Sequence, residues 1–110
     1  MGISSVLVQG HKEPDKTYNA AVLPIYLTTT YRKEKFNEPQ EFGYSRGANP
    51  TRAYFEEFIA HLEGGKHGFA FSSGMAANAA ALSVLSAGEK VLVTRNVYGG
   101  TVSLLDTAFL

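Results

Sequence analysis

"GFAFSS" at 68–73 and "KVLVT" at 90–94, with an Ala-rich stretch between them, constrain the fold of this chain more than anything else in it. Both are short apolar runs bounded by turn residues, and they read as buried strands. The stretch Met75–Ala87, closed by Gly88, reads as a helix. Strand, helix, strand in that order argues for a parallel α/β sheet. Two strands cannot complete such a sheet, because both its faces and its edges need covering. The chain therefore reads as the front of a larger α/β protein.

The flanking elements agree with this. Asn49 can cap a helix whose first residue is Pro50, where a missing N–H costs nothing. Phe55, Ile59 and Leu62 then recur on one stripe, and Gly64-Gly65 ends the helix. After the second strand and its loop "RNVYGGT", the segment "TVSLLDTAFL" begins another helix with Val102, Leu105 and Phe109 on one face. Residues 1–48 differ: Pro14, Pro24 and Pro39 interrupt them, Leu27–Tyr31 is a short β-branched run, and no helical period is sustained. An irregular arm of that length is unusual inside a compact domain. Its apolar residues (Val22, Leu23, Ile25, Tyr26, Leu27, Tyr31) suit an arm lying against a surface that this chain does not supply alone.

Composition excludes several classes of function. Ten basic and ten acidic side chains cancel, so no global field favours nucleic acid or an anionic membrane. There is no cysteine, which removes disulfide frameworks and thiolate metal sites and fits a cytoplasmic protein. The start "MGISSVLVQGHKEPDK" lacks the basic and apolar regions of a signal peptide. His11, His61 and His67 show no metal-ligand spacing, so no metal site is expected. "GGKHGF" fails the phosphate-loop pattern, since Ala60 stands where that pattern needs Gly and His67 follows Lys66.

Three stretches remain that could carry chemistry. In "FSSGMAA" a strand ends, Gly74 permits a tight turn and a helix begins, so free N–H groups and a helix dipole converge on one spot. That suits an anion, most naturally a phosphate. The same turn is also a common structural element, and the residues alone leave both readings open. Tyr98, in "NVYGGT", follows a strand and falls on the same sheet edge as Gly74 and Met75, where a ligand ring could stack. Packing over the strand end is the other reading of it. "FGYSRGANPTR" places Tyr44 and Arg46 two apart in a loop just ahead of a helix.

Taken together, in this order and at this spacing, "YSRGANPTR", "FAFSSGMAA" and "NVYGGT" resemble the Cys/Met-metabolism family of pyridoxal-phosphate (PLP) enzymes. That family holds cystathionine γ-synthases, cystathionine γ- and β-lyases, methionine γ-lyases and sulfhydrylases, and the resemblance runs from about Pro24 onward. It implies a fold-type-I enzyme, with an N-terminal subunit-clasping arm at 1–48 and an incomplete PLP-binding α/β domain beginning at 49–110. It implies that Gly74 and Met75 offer N–H groups to the cofactor phosphate and that Tyr98 stacks on the pyridine ring and shuttles protons. It also implies that Tyr44 and Arg46 reach the phosphate of the neighbouring subunit's site, in a dimer of dimers. An arginine fork and a phenol suit a dianion better than a point charge does.

The implied reaction is elimination or replacement at the β- or γ-carbon of a sulfur amino acid. A cystathionine lyase is the first expectation; a cystathionine γ-synthase or a homoserine-ester sulfhydrylase is the alternative. Asn96-Val97 stands where many relatives carry Asp before the Tyr-Gly-Gly, a variation that leaves Tyr98 untouched. The family's Schiff-base lysine and substrate-carboxylate arginine match nothing here. None of Lys12, Lys16, Lys33, Lys35, Lys66 or Lys90 stands in a Ser-x-Thr-Lys setting, so this stretch alone is expected to be inactive. An inactive fragment that keeps a phosphate site and an assembly arm is the non-enzymatic alternative.

Overall fold

The computed structural model describes residues 2–10, 15–33 and 35–108. The readings placed above on His11, Lys12, Pro14 and Phe109 fall outside them. The described residues form four helices: α1 (Ile3–Gln9), α2 (Pro50–Leu62), α3 (Gly74–Leu82) and α4 (Gly99–Ala108). They divide into two units, Met1–Ala70 and Phe71–Leu110.

In the first unit, α2 carries the order. Asn49 caps it as its sequence indicates, the side-chain oxygen accepting from the Thr51 N–H at 2.9 Å with Pro50 next in line. Its other end closes on Gly64, whose φ of 68° places it in the left-handed region. Gly64 N–H donates to the His61 carbonyl at 3.3 Å and Gly65 N–H to that of Ala60 at 2.8 Å. That pair of bonds satisfies carbonyls that the helix end would otherwise orphan.

The helix buries a different face from the stripe expected. Ala60 is buried (7% exposed), whereas Phe55 and Ile59 are exposed. What covers Ala60 is the segment that follows the helix. Gly68 lies so close to the Glu56 carbonyl that an added Cβ would collide with it. Ala70 N–H donates to the Glu56 carboxylate at 2.9 Å, and Arg52 holds that carboxylate from 3.6 Å. Gly68→Ala is therefore expected to cost the intact protein about 1–3 kcal/mol through overpacking against backbone. Denaturant unfolding measures this, and an unchanged midpoint would disprove the close approach.

The arm is more ordered than its sequence suggests. α1 is a seven-residue helix with Ile3, Val6 and Leu7 at helical spacing, too short a run for periodicity to stand out. Farther on, the chain folds back on itself. Tyr31 N–H donates to the Gly43 carbonyl at 3.1 Å and Ser45 N–H to that of Thr29 at 2.9 Å, around an antiparallel bridge between Thr30 and Tyr44.

In the second unit α3 and α4 pack on each other. Ser73 caps α3, its hydroxyl accepting from Ala76 N–H at 3.1 Å. α3 stops at Leu82 rather than Ala87, because Ser83 turns its hydroxyl onto the Ala80 carbonyl at 2.8 Å and Leu85 N–H makes a tight turn onto Leu82. The two runs read as strands, 68–73 and 90–94, join no ladder among the described residues. Ladder bonds in a parallel sheet come from neighbouring strands far apart in sequence, and these residues contain too few to supply them. Phe69 is 75% exposed and Leu92 fully so.

Candidate functional site

Ser73, Gly74 and Met75 bring the chain into α3 with its first N–H groups pointing outward. The Ser73 side chain satisfies Ala76, and the Ser73 carbonyl takes Ala77 N–H at 3.1 Å. The N–H groups of Gly74 and Met75 have no partner among the described residues. A Cβ built on Gly74 would meet nothing within 4 Å, so the backbone at this turn is uncrowded on that side. Two free N–H groups at the positive end of a helix form a receptacle for an oxyanion.

The start of α4 lies beside it. Tyr98 precedes this helix, and its carbonyl accepts from Thr101 N–H at 2.9 Å and Val102 N–H at 3.4 Å. A Cβ on Gly100 would stand 2.6 Å from Tyr98 Cε1 and 3.1 Å from Met75 Sδ. Glycine at this position leaves room for both side chains beside the backbone, and a larger residue would displace them. Asn78, one turn into α3, ties the two helix starts together by donating to Thr101 Oγ1 at 3.1 Å. Its role is not evident from spacing, although a lone amide in the run "MAANAAAL" is the signal that marks it. Tyr98 is 73% exposed, so the residue is accessible to a planar ligand.

Gly74, Met75 and Tyr98 are thus gathered within one unit. Tyr44 and Arg46 meet each other within the other unit. The Arg46 guanidinium donates to the Tyr44 hydroxyl through Nε at 3.1 Å and Nη2 at 2.9 Å, and its carbon lies 5.5 Å from the ring centre. Both side chains are exposed. The guanidinium has five N–H donors and spends two on the phenol, so the rest of the fork is free to take an oxyanion. The described residues hold no cluster of metal-ligating side chains.

The open groove of about 620 Å³ lined by Leu82, Leu85, Val91, Val93 and Leu105 lies toward the far ends of α3 and α4. Glu89 and Asp106 line it as well, neither Gly74 nor Tyr98 does, and its two carboxylates make it unsuited to a phosphate.

Against this geometry stands the match, over residues 4–110, to the family described as Cys/Met metabolism PLP-dependent enzyme. The chain belongs to this family. A cystathionine β-lyase of Lactococcus lactis subsp. cremoris is 48% identical over 104 residues, which are 94% of this chain and 27% of that protein. A cystathionine γ-synthase of Haemophilus influenzae is 42% identical over 107 residues, 97% of this chain and 29% of that protein. Among solved structures, a cystathionine γ-lyase of Lactobacillus plantarum complexed with L-serine superposes with a TM-score of 0.86 at 42% identity, over 99% of this chain and 28% of that one. The chain thus spans between a quarter and a third of the length of these Cys/Met-metabolism enzymes. Such a neighbour fits the front part of a fold-type-I enzyme. No helix among the described residues is long and apolar enough to cross a membrane.

The donors present fit PLP. Its phosphate is a small dianion, matched by the two unpartnered N–H groups of α3. Its ring is flat and aromatic, matched by the exposed phenol of Tyr98.

Proposed function

We propose that the protein carrying these residues is a PLP-dependent enzyme that breaks the carbon–sulfur bond of cystathionine or a similar sulfur amino acid. The observation that carries this is the pair of unpartnered N–H groups of Gly74 and Met75 beside the exposed ring of Tyr98. Bound PLP supplies an electron sink that makes the bonds next to an amino acid's nitrogen breakable. Gly74 and Met75 anchor its phosphate, and Tyr98 covers its ring and moves a proton with its hydroxyl.

Tyr44 and Arg46 take the phosphate held by a neighbouring copy in a dimer of dimers, and residues 1–48 clasp that neighbour. The exposure of both side chains, together with the uncovered apolar residues Val22, Ile25 and Leu27, supports this. Residues 49–110 form the beginning of the PLP-binding domain. The cysteine-free composition supports a cytoplasmic location.

Borohydride reduction of the purified protein followed by denaturing intact-mass analysis tests the reading. A reduced pyridoxyl adduct is expected on a lysine other than the six of this sequence. A PLP-supplemented sample that shows no adduct would refute it.

A further inference from the structure

Asn49 does more than a helix cap requires. Capping α2 uses only its side-chain oxygen, and Ser, Thr or Asp supplies such an oxygen equally well. The amide nitrogen is surplus to that task, yet it is fully engaged. It lies 3.1 Å from Ser45 Oγ, 3.2 Å from the Tyr31 hydroxyl and 3.2 Å from the Tyr26 carbonyl. Its two hydrogens serve three oxygens drawn from the fold-back segment and from the loop between Tyr44 and Arg46.

The loop is fixed at the residue that the amide reaches. Ser45 donates its hydroxyl to the Thr28 carbonyl and its N–H to the Thr29 carbonyl. Gly47 and Ala48 N–H both close onto the Tyr44 carbonyl, at 2.9 and 3.0 Å, and Arg52 donates to the Gly47 carbonyl. Tyr44 and Arg46 flank Ser45 on either side. Their backbone is locked while their side chains remain exposed.

We infer that Asn49 is a positioning residue for Arg46: its amide donors pin Ser45 to the start of α2 and so hold the Arg46 guanidinium in place to receive a phosphate. The inference rests on the reading of Arg46 as a phosphate contact. An unpinned arginine must surrender the freedom of a long side chain and of its loop when it binds, and pinning removes part of that cost beforehand.

Asn49→Ser in the intact protein keeps a capping oxygen and removes the amide donors. The readout is the PLP dissociation constant, measured by titrating apoprotein with the cofactor. It is expected to rise about tenfold, the equivalent of roughly one charge-oriented hydrogen bond. In an Arg46→Ala background the same change is expected to add nothing, because its route to the phosphate is gone. Equal losses in both backgrounds would mean a general structural role and would overturn the inference. So would an unchanged constant for Asn49→Ser where Arg46→Ala alone weakens binding. An Arg46→Ala protein that binds PLP normally would instead remove the underlying reading of Arg46, and the inference with it. Should Asn49→Ser fail to fold, Ser45→Ala removes the other end of the tether and decides by the same coupling. Loss confined to the background that retains Arg46 supports the tether, and its absence overturns it.

Discussion

Replacing Arg46 with alanine is expected to raise the dissociation constant for PLP by one to two orders of magnitude, with α2 and its caps unchanged. Removing a hydrogen bond to a charged group costs about 1.5–3 kcal/mol, and each 1.4 kcal/mol is tenfold in affinity. The guanidinium carries spare donors, since Tyr44 takes only Nε and Nη2. Nothing in the secondary structure depends on it, because the loop is held through Ser45, Gly47 and Ala48 by other groups. Arg46→Lys should fall between wild type and alanine, keeping the charge and losing the planar fork. Tyr44→Phe should cost less than Arg46→Ala, since a neutral donor is lost and the aromatic face beneath the guanidinium stays. Titration of apoprotein with PLP measures all three. If Arg46→Ala binds the cofactor as tightly as wild type, the residue makes no phosphate contact.

What could be read from the sequence divides along the line between local and distant interactions. The start of α2 was legible because an N-cap is decided within three residues: Asn49, Pro50 and the Thr51 N–H that the cap binds. Gly64-Gly65 closing α2 was legible for the same reason, whereas Ser73, read as the end of a strand, caps α3. The runs 68–73 and 90–94 carry the composition of buried strands, yet burial and pairing belong to neighbours far away in the chain. Here Ala70 N–H finds the Glu56 carboxylate instead of a ladder. The buried face of α2 was misread for a related reason. Gly68 approaches the backbone only where a small residue such as Ala60 faces it, and apolar periodicity gives no weight to glycine.

The candidate site follows the same division. Strand–helix order led to the expectation that Gly74, Met75 and Tyr98 share a sheet edge; the described residues form no such edge, and Met75 and Tyr98 meet instead beside Gly100. The packing of the Tyr98 ring and Met75 sulfur over Gly100, and the bond from Asn78 to Thr101, are products of α3 meeting α4. Likewise, Tyr44 and Arg46 could be paired by their spacing, but the three acceptors around Asn49 come from positions 26, 31 and 45. No pattern within a single segment reveals such a hub.

Tyr98→Phe separates the two duties proposed for Tyr98. Everything the structure shows the residue doing is retained by phenylalanine: the carbonyl that starts α4, and the ring edge against Gly100 and Met75. Phenylalanine also offers the same flat face to a bound ring, so PLP content and affinity are expected to stay within about threefold, since the difference is a single hydroxyl contact. The hydroxyl itself is the group assigned to proton transfer, and removing such a group slows turnover by about 10²–10⁴-fold. The measurement is kcat per bound PLP, with cofactor content taken from absorbance of the same sample. Tyr98→Ala supplies the complement: it removes the ring and should lower both PLP content and turnover. A Tyr98→Phe protein that loses PLP but turns over normally per bound cofactor would show the hydroxyl to be a binding contact rather than a proton carrier. A protein normal in both respects would leave Tyr98 only its packing role at the start of α4.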